Sequence, residues 1–151
     1  MSILPENKPH QPHNTPRNFF IWGATMSGKS YLASYFPDSI VFSTDGNEKN
    51  SGTRPTIALE NEVDANGNIK TSVIDILDKY ILALRTEHNT FKSVVIDVID
   101  DVTVLLEQAI CMEHKVKTLS DIPYGKGFSM FNSMLAELVM NLKALPMNVI
   151  Y

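Results

Sequence analysis

The chain has 151 residues, 44% of them hydrophobic, and a formal net charge of −4, which suits one domain with a buried core and leaves no room for a second. The acidic balance provides no chain-wide attraction to nucleic acid or to an anionic membrane, so any DNA contact must be local. A lone cysteine, Cys111, excludes an internal disulfide and fits a reduced, cytoplasmic setting with the thiol packed in the core.

Residues 1–17 hold four of the eight prolines and no apolar stretch of the kind a signal peptide needs, so they read as a flexible arm. His10 and His13 lie in that arm without cysteine partners, and no zinc is assigned to them. Residues 18–22 are short, apolar and aromatic, as a buried strand is. They lead into Gly23-Ala24-Thr25-Met26-Ser27-Gly28-Lys29-Ser30, which has the spacing G-x-x-x-x-G-K-[ST] of a phosphate-binding loop. Each marked position has a physical task. Gly23 lets the chain leave the strand where a side chain would obstruct it, and Gly28 lets backbone N–H groups turn inward around phosphate. Lys29 reaches the β- and γ-phosphate oxygens, and the Ser30 hydroxyl completes a magnesium shell. Residues 31–36 continue as a helix, whose start favours an anion, until Pro37 and Asp38 stop it. The ligands implied are ATP or GTP together with magnesium.

Residues 39–43 are a second β-favouring run that opens into the turn Thr44-Asp45-Gly46-Asn47. Within the mixed segment 48–71, residues 56–59 predict a minor strand and Asn66-Gly67 a hairpin turn. Val73, Ile76, Leu77, Tyr80, Ile81 and Leu84 then recur at helical spacing, with Ser72 placed to cap the helix. The run Lys92-Ser93-Val94-Val95-Ile96-Asp97 ends in a carboxylate, the form of the second nucleotide-binding motif, Walker B. At the carboxyl end of a central strand, Asp97 lies beside the phosphate loop, where it directs magnesium with Ser30, acting through a bound water. Asp100 and Asp101 precede a helix predicted from residue 102, and capping and dipole compensation suffice to explain at least one of them. After Asp97 comes Val98, not a second carboxylate to polarise water, so hydrolysis must take that group from elsewhere. Asp45 is the candidate catalytic residue because it ends a strand at the same sheet edge, with Glu48 as a nearby substitute.

Residues 121–127 form a Pro- and Gly-containing loop that opens a helix through Leu145. Its predicted buried face comprises Phe128, Phe131, Met134, Leu135, Leu138, Val139 and Leu142. Tyr124 and Lys126, with Lys115 and Lys117, offer stacking and charge to single-stranded nucleic acid or to a neighbouring subunit's nucleotide, although a solvated loop explains them more simply. No apolar run nears the roughly 18 residues that span a bilayer, since the stretch 94–106 is broken by Asp97, Asp100 and Asp101. Residues 146–151 read as the start of another core strand.

Together these pieces resemble the phage nucleotide-binding P-loop proteins, a RecA-like group that includes single-strand-annealing recombination ATPases. The matching residues are the loop 23–30, Phe36-Pro37-Asp38, Thr44-Asp45-Gly46, Val94-Val95-Ile96-Asp97 followed by Asp100-Asp101, and Tyr124-Gly125-Lys126-Gly127. The resemblance implies an α/β fold, a RecA-like P-loop NTPase core with a mostly parallel sheet flanked by helices, spanning residues 18–151. It also implies a role around phage DNA replication or recombination, with single-stranded DNA and a homo-oligomer as partners, in the host cell cytoplasm. Similar proteins continue beyond the strand at 146–151, so the sheet is expected to be cut there, with an exposed edge. Three functions share these residues: an ATPase coupling nucleotide state to DNA or assembly, a small-molecule or nucleotide kinase, and a non-catalytic nucleotide-binding interaction protein.

Overall fold

β-Branched and aromatic residues dominate the runs that become strands. In chain order the elements are β1 (Asn18–Phe19), α1 (Lys29–Ala33), β2 (Ser39–Ser43), β3 (Thr56–Ala58), β4 (Glu62–Val63), β5 (Ile69–Thr71), α2 (Val73–Thr86), β6 (Ser93–Asp97), α3 (Ile99–His114), α4 (Lys126–Lys143) and β7 (Asn148–Ile150). The computed structural model describes Leu4 and residues 6–9, 15–46 and 54–151; Glu48, His10, His13 and much of the N-terminal arm lie outside the described residues.

Five strands form one parallel sheet in the order β1-β7-β6-β2-β3, and β4 and β5 form a separate antiparallel hairpin. A strand buried on both faces reads as a continuous apolar run, and β6 is that strand: Val94, Val95 and Ile96 are all buried. Successive side chains point to opposite faces. Ile40, Phe42, Val94 and Ile96 therefore pack in the large core with Leu77, Leu106 and Leu142, whereas Val95 and Ile150 meet Ala33 on the other face. This is the expected α/β core with a parallel sheet flanked by helices.

The predicted last strand is present, and the exposed edge beside it is β1, not β7 itself. β7 lies inside the sheet, pairing with β1 through Asn18 and Val149 and with β6 through Val94 and Val149. Val149 and Ile150 are each 1% exposed, so burial on both faces favours an interior place. The edges are β1 and β3.

Local chemistry explains most element boundaries. Ser72 caps α2 by accepting from Asp75 N at 3.1 Å, while the Asp75 carboxylate accepts from Ser72 N at 2.7 Å; this reciprocal box satisfies two amides the helix leaves unpaired. In the hairpin, Asp64 Oδ1 accepts from Asn66 N and Asn68 N, and Gly67 takes the positive φ of 80° that the turn needs. Those hydrogen bonds, led by the one from the Asn68 backbone, hold the Asp64 pKa below its ordinary value.

Three helix expectations need correction. α1 ends at Ala33 rather than Phe36, as the Ser34 hydroxyl donates to Tyr31 O and competes with the helical pattern. α3 begins at Ile99 with Val98 as its N-cap, which places Asp100 and Asp101 inside the first turn, not before it. Phe128, assigned to the buried face of α4, is 51% exposed; Leu138 and Leu142 carry that face, with Phe131, Met134, Leu135 and Val139 half-buried.

Candidate functional site

The loop 23–30 joins β1 to α1. Because all five strands of the sheet are parallel, this loop and the end of β6 emerge at the same edge, separated only by β7. Gly28 adopts φ 90°, the left-handed region that a side chain disfavours, just where α1 begins. A Cβ at Gly23 would lie 2.8 Å from Ser27 Oγ, a side-chain atom that can rotate away, so the stricter demand for glycine falls on Gly28. Ala24 O accepts from Ser27 N at 3.2 Å, closing the turn through Thr25 and Met26. Lys29 folds back over the loop, its Nζ donating to Gly23 O and Ala24 O at 2.8 Å each. The ammonium is thus held above the backbone that a phosphate group would approach.

Ser30 Oγ donates to Asp97 Oδ2 at 2.6 Å. This contact spans 67 residues of sequence and is short, as hydroxyl-to-carboxylate bonds are. One hydroxyl and one carboxylate in contact form a hard oxygen donor set. Magnesium suits such a set because it keeps several waters and takes its remaining ligands from substrate phosphates. Among the described residues no group of three or more His, Cys, Asp or Glu side chains is arranged to hold a metal by itself. A cation here therefore depends on phosphate oxygens for its shell. Lys29, Ser30, Asp97, Ile150 and Tyr151 line a small pocket of 30 Å³.

The other carboxylates separate in role. Ser43 is in register with Asp97, so Asp45, two residues on, lies at the same edge of the sheet. Its Oδ1 accepts from Ser43 Oγ at 2.8 Å. Asp101 is not a cap: its Oδ2 accepts from Thr44 Oγ1 at 2.8 Å. Thr44 Oγ1 in turn accepts from Val98 N at 3.2 Å, and Thr44 N donates to Asp97 O at 2.9 Å. In the sequence Thr44 stands out only as part of the Thr44-Asp45-Gly46 turn and motif, and nothing local announces its contacts with Val98 and Asp101. Asp100 stays exposed in the first turn of α3, its backbone carbonyl accepting from Thr103 Oγ1.

Away from this edge, Tyr124 projects into solvent, 96% exposed, at φ 61°. Lys115, Lys117 and Lys126 are exposed around the same corner, where α3 ends and α4 begins. Trp22 and Met26, flanking and within the phosphate loop, are 87% and 98% exposed. Arg54 donates to Phe36 O and Ser39 Oγ at the opposite end of β2 from Asp97, and Arg17 precedes β1. Arg85 lies in the last turn of α2, so the three arginines form no cluster at the loop.

No helix among the described residues is long and apolar enough to cross a membrane. No curated protein and no solved structure matches the chain. A family model described as an AAA domain matches residues 15–151, and the chain belongs to that family of ATP-binding P-loop proteins.

Proposed function

We propose that this AAA-domain protein binds ATP with magnesium at residues 23–30 and hydrolyses it within a RecA-like core that serves phage DNA replication or recombination, residues 18–151 acting as one nucleotide-binding domain. The observation that carries the reading is the 2.6 Å contact between Ser30 and Asp97 beside the folded-back Lys29. Two residues far apart in sequence supply the hydroxyl and the carboxylate of a magnesium–triphosphate site at the edge where ligands of parallel α/β sheets gather.

In this reading the backbone of residues 23–30 cradles the phosphates, with Gly23, Ala24, Thr25, Met26, Ser27 and Gly28 forming the wall. Lys29 exchanges its two carbonyl partners for β- and γ-phosphate oxygens, which offer it full negative charge in place of partial charge. Ser30 would ligate the cation directly and Asp97 through water. Magnesium, when bound, neutralises charge on the phosphates and holds them in one orientation. Asp45 is the carboxylate that orients the attacking water and takes its proton, since Val98 brings no side-chain acceptor to the position after Asp97. The motifs at Thr44-Asp45-Gly46 and Tyr124-Gly125-Lys126-Gly127 support the phage recombination setting. The exposed Tyr124 with its lysines is consistent with single-stranded DNA as partner.

Isothermal titration of the wild-type chain and of Lys29→Ala with ATP and magnesium tests this directly. Wild-type binding that Lys29→Ala weakens by at least about a hundredfold, roughly 3 kcal/mol, is the expected result; equal affinity refutes it. Product analysis separates the chemistries. Free phosphate, stimulated by single-stranded DNA, marks an ATPase, a phosphorylated nucleoside acceptor marks a kinase, and tight binding without turnover marks an interaction protein. The scattered arginines weigh against the kinase, which needs a cationic lid over the transferred phosphate.

A further inference from the structure

The Asp97 carboxylate reaches Ser30 only if the backbone carrying it is held, and β6 ends at that residue. Ladder pairing from β2 reaches the same level, because Ser43 is in register with Asp97. Thr44 then grips the next peptide unit at both ends. Its N–H donates to Asp97 O at 2.9 Å, and its hydroxyl oxygen accepts from Val98 N at 3.2 Å.

A threonine hydroxyl has a single proton and can donate or accept. Asp101 directs that proton: its carboxylate oxygen at 2.8 Å is a nearer acceptor for the Thr44 hydroxyl than Asp97 O at 3.5 Å, and the Thr44 lone pairs are left for Val98. Among the described residues Asp101 makes no salt bridge, and its side chain is exposed in the first turn of α3. Its bond to Thr44 is therefore not a by-product of pairing with a base.

We infer that Thr44 and Asp101 are positioning residues that lock the Asp97–Val98 peptide unit, direct the Asp97 carboxylate toward Ser30, and so set the magnesium concentration needed for tight ATP binding. This rests on the nucleotide-binding reading of the loop. The two residues touch neither nucleotide nor metal. They act through Asp97, and because Asp45 follows Thr44 directly, the same brace ties the segment of the candidate base to the metal-directing strand.

Magnesium titration of ATP binding, read by fluorescence of the single tryptophan, Trp22, next to the loop and by calorimetry, tests the pair. Thr44→Val keeps the branched shape and the backbone bond but loses the hydroxyl. Asp101→Ala loses the acceptor from an exposed position and serves equally if Thr44→Val does not fold. Each should raise the magnesium midpoint about tenfold, the lower end of the effect of one hydrogen bond to a charged group, with magnesium-free ATP affinity unchanged. The double variant should match the single ones, and Thr44→Ser should restore the wild-type midpoint. An unchanged midpoint in either single variant overturns the inference, as does equal weakening with and without magnesium, which would mark a general loss of structure. Wild-type protein lacking magnesium-dependent ATP binding overturns the nucleotide reading itself, and this inference with it.

Discussion

Gly127, in the Tyr-Gly-Lys-Gly segment that carries part of the family resemblance, has the least room of the glycines among the described residues. A Cβ built there lies 2.3 Å from Leu119 O, 3.0 Å from Leu119 C and 3.1 Å from Ile122 Cδ1. Carbon–oxygen contacts settle near roughly 3.3 Å, so Gly127→Ala forces α4 and the turn 119–122 apart by about 1 Å. Such overpacking costs about 1–3 kcal/mol, and here the obstacle is backbone, which places it toward the upper end. Alanine returns about 1 kcal/mol through helix propensity. The net loss is about 1–2 kcal/mol, or a fall in Tm of roughly 2–8 °C for a chain of this size. Thermal melts followed by circular dichroism measure it, with Gly125→Ala as comparison, where nothing lies within 4 Å and the penalty comes from φ +66° alone. A Gly127→Ala Tm equal to or above wild type refutes the close-approach argument. A lowered Tm with unchanged ATP affinity assigns this glycine to packing and not to ligand contact.

Other substitutions probe separate features. Ser93 is fully buried at the start of β6, and its hydroxyl has no hydrogen-bond partner among the described residues. Ser93→Ala should therefore leave Tm unchanged or raise stability by up to about 1 kcal/mol, and a clear loss in a denaturant titration would show a hidden partner. Asp78 on α2 has its pKa raised, first by loss of solvent and then by the carboxylates of Glu137 and Asp75. A raised folded-state pKa makes the folded chain hold its proton more tightly than the unfolded chain. The charged form thus costs stability above the ordinary carboxylate range, and that cost is absent below it. Asp78→Asn should raise Tm near about pH 7 by an effect under about 0.5 kcal/mol, because solvent screens the site. Near about pH 3 it should change nothing, and equal gains at both pH values would rule out the charge explanation.

Much of this architecture is visible in local sequence because its causes are local. The capping box at Ser72 and Asp75 and the Asp64 turn around Gly67 each depend on side chains two to four residues from the amides they serve. The run ending at Asp97 declares itself as a strand because burial on both faces leaves no polar alternation to obscure it. Misreadings arose where a non-local partner intervened. Phe128 has the right helical spacing for the core, yet in the first turn of α4 it is Gly127 that packs on Leu119 and Ile122, and the Phe128 ring is left half exposed. Asp101 is a helix-start acid in the first turn of α3, but its carboxylate binds a residue 57 positions away instead of capping the helix.

The same division holds for the candidate site. Sequence by itself marked residues 23–30 as the candidate phosphate loop, because glycines, a lysine and a hydroxyl at fixed short intervals are chemistry written along one stretch of backbone. It also marked Asp97 as the acid ending an apolar strand. Only the tertiary structure placed β7 between the two motifs, brought Ser30 to 2.6 Å from Asp97, and joined Thr44 to Val98 and Asp101. Those relations depend on strand order and register, which arise from the competition of all buried faces for partners, and no short window of residues contains that information.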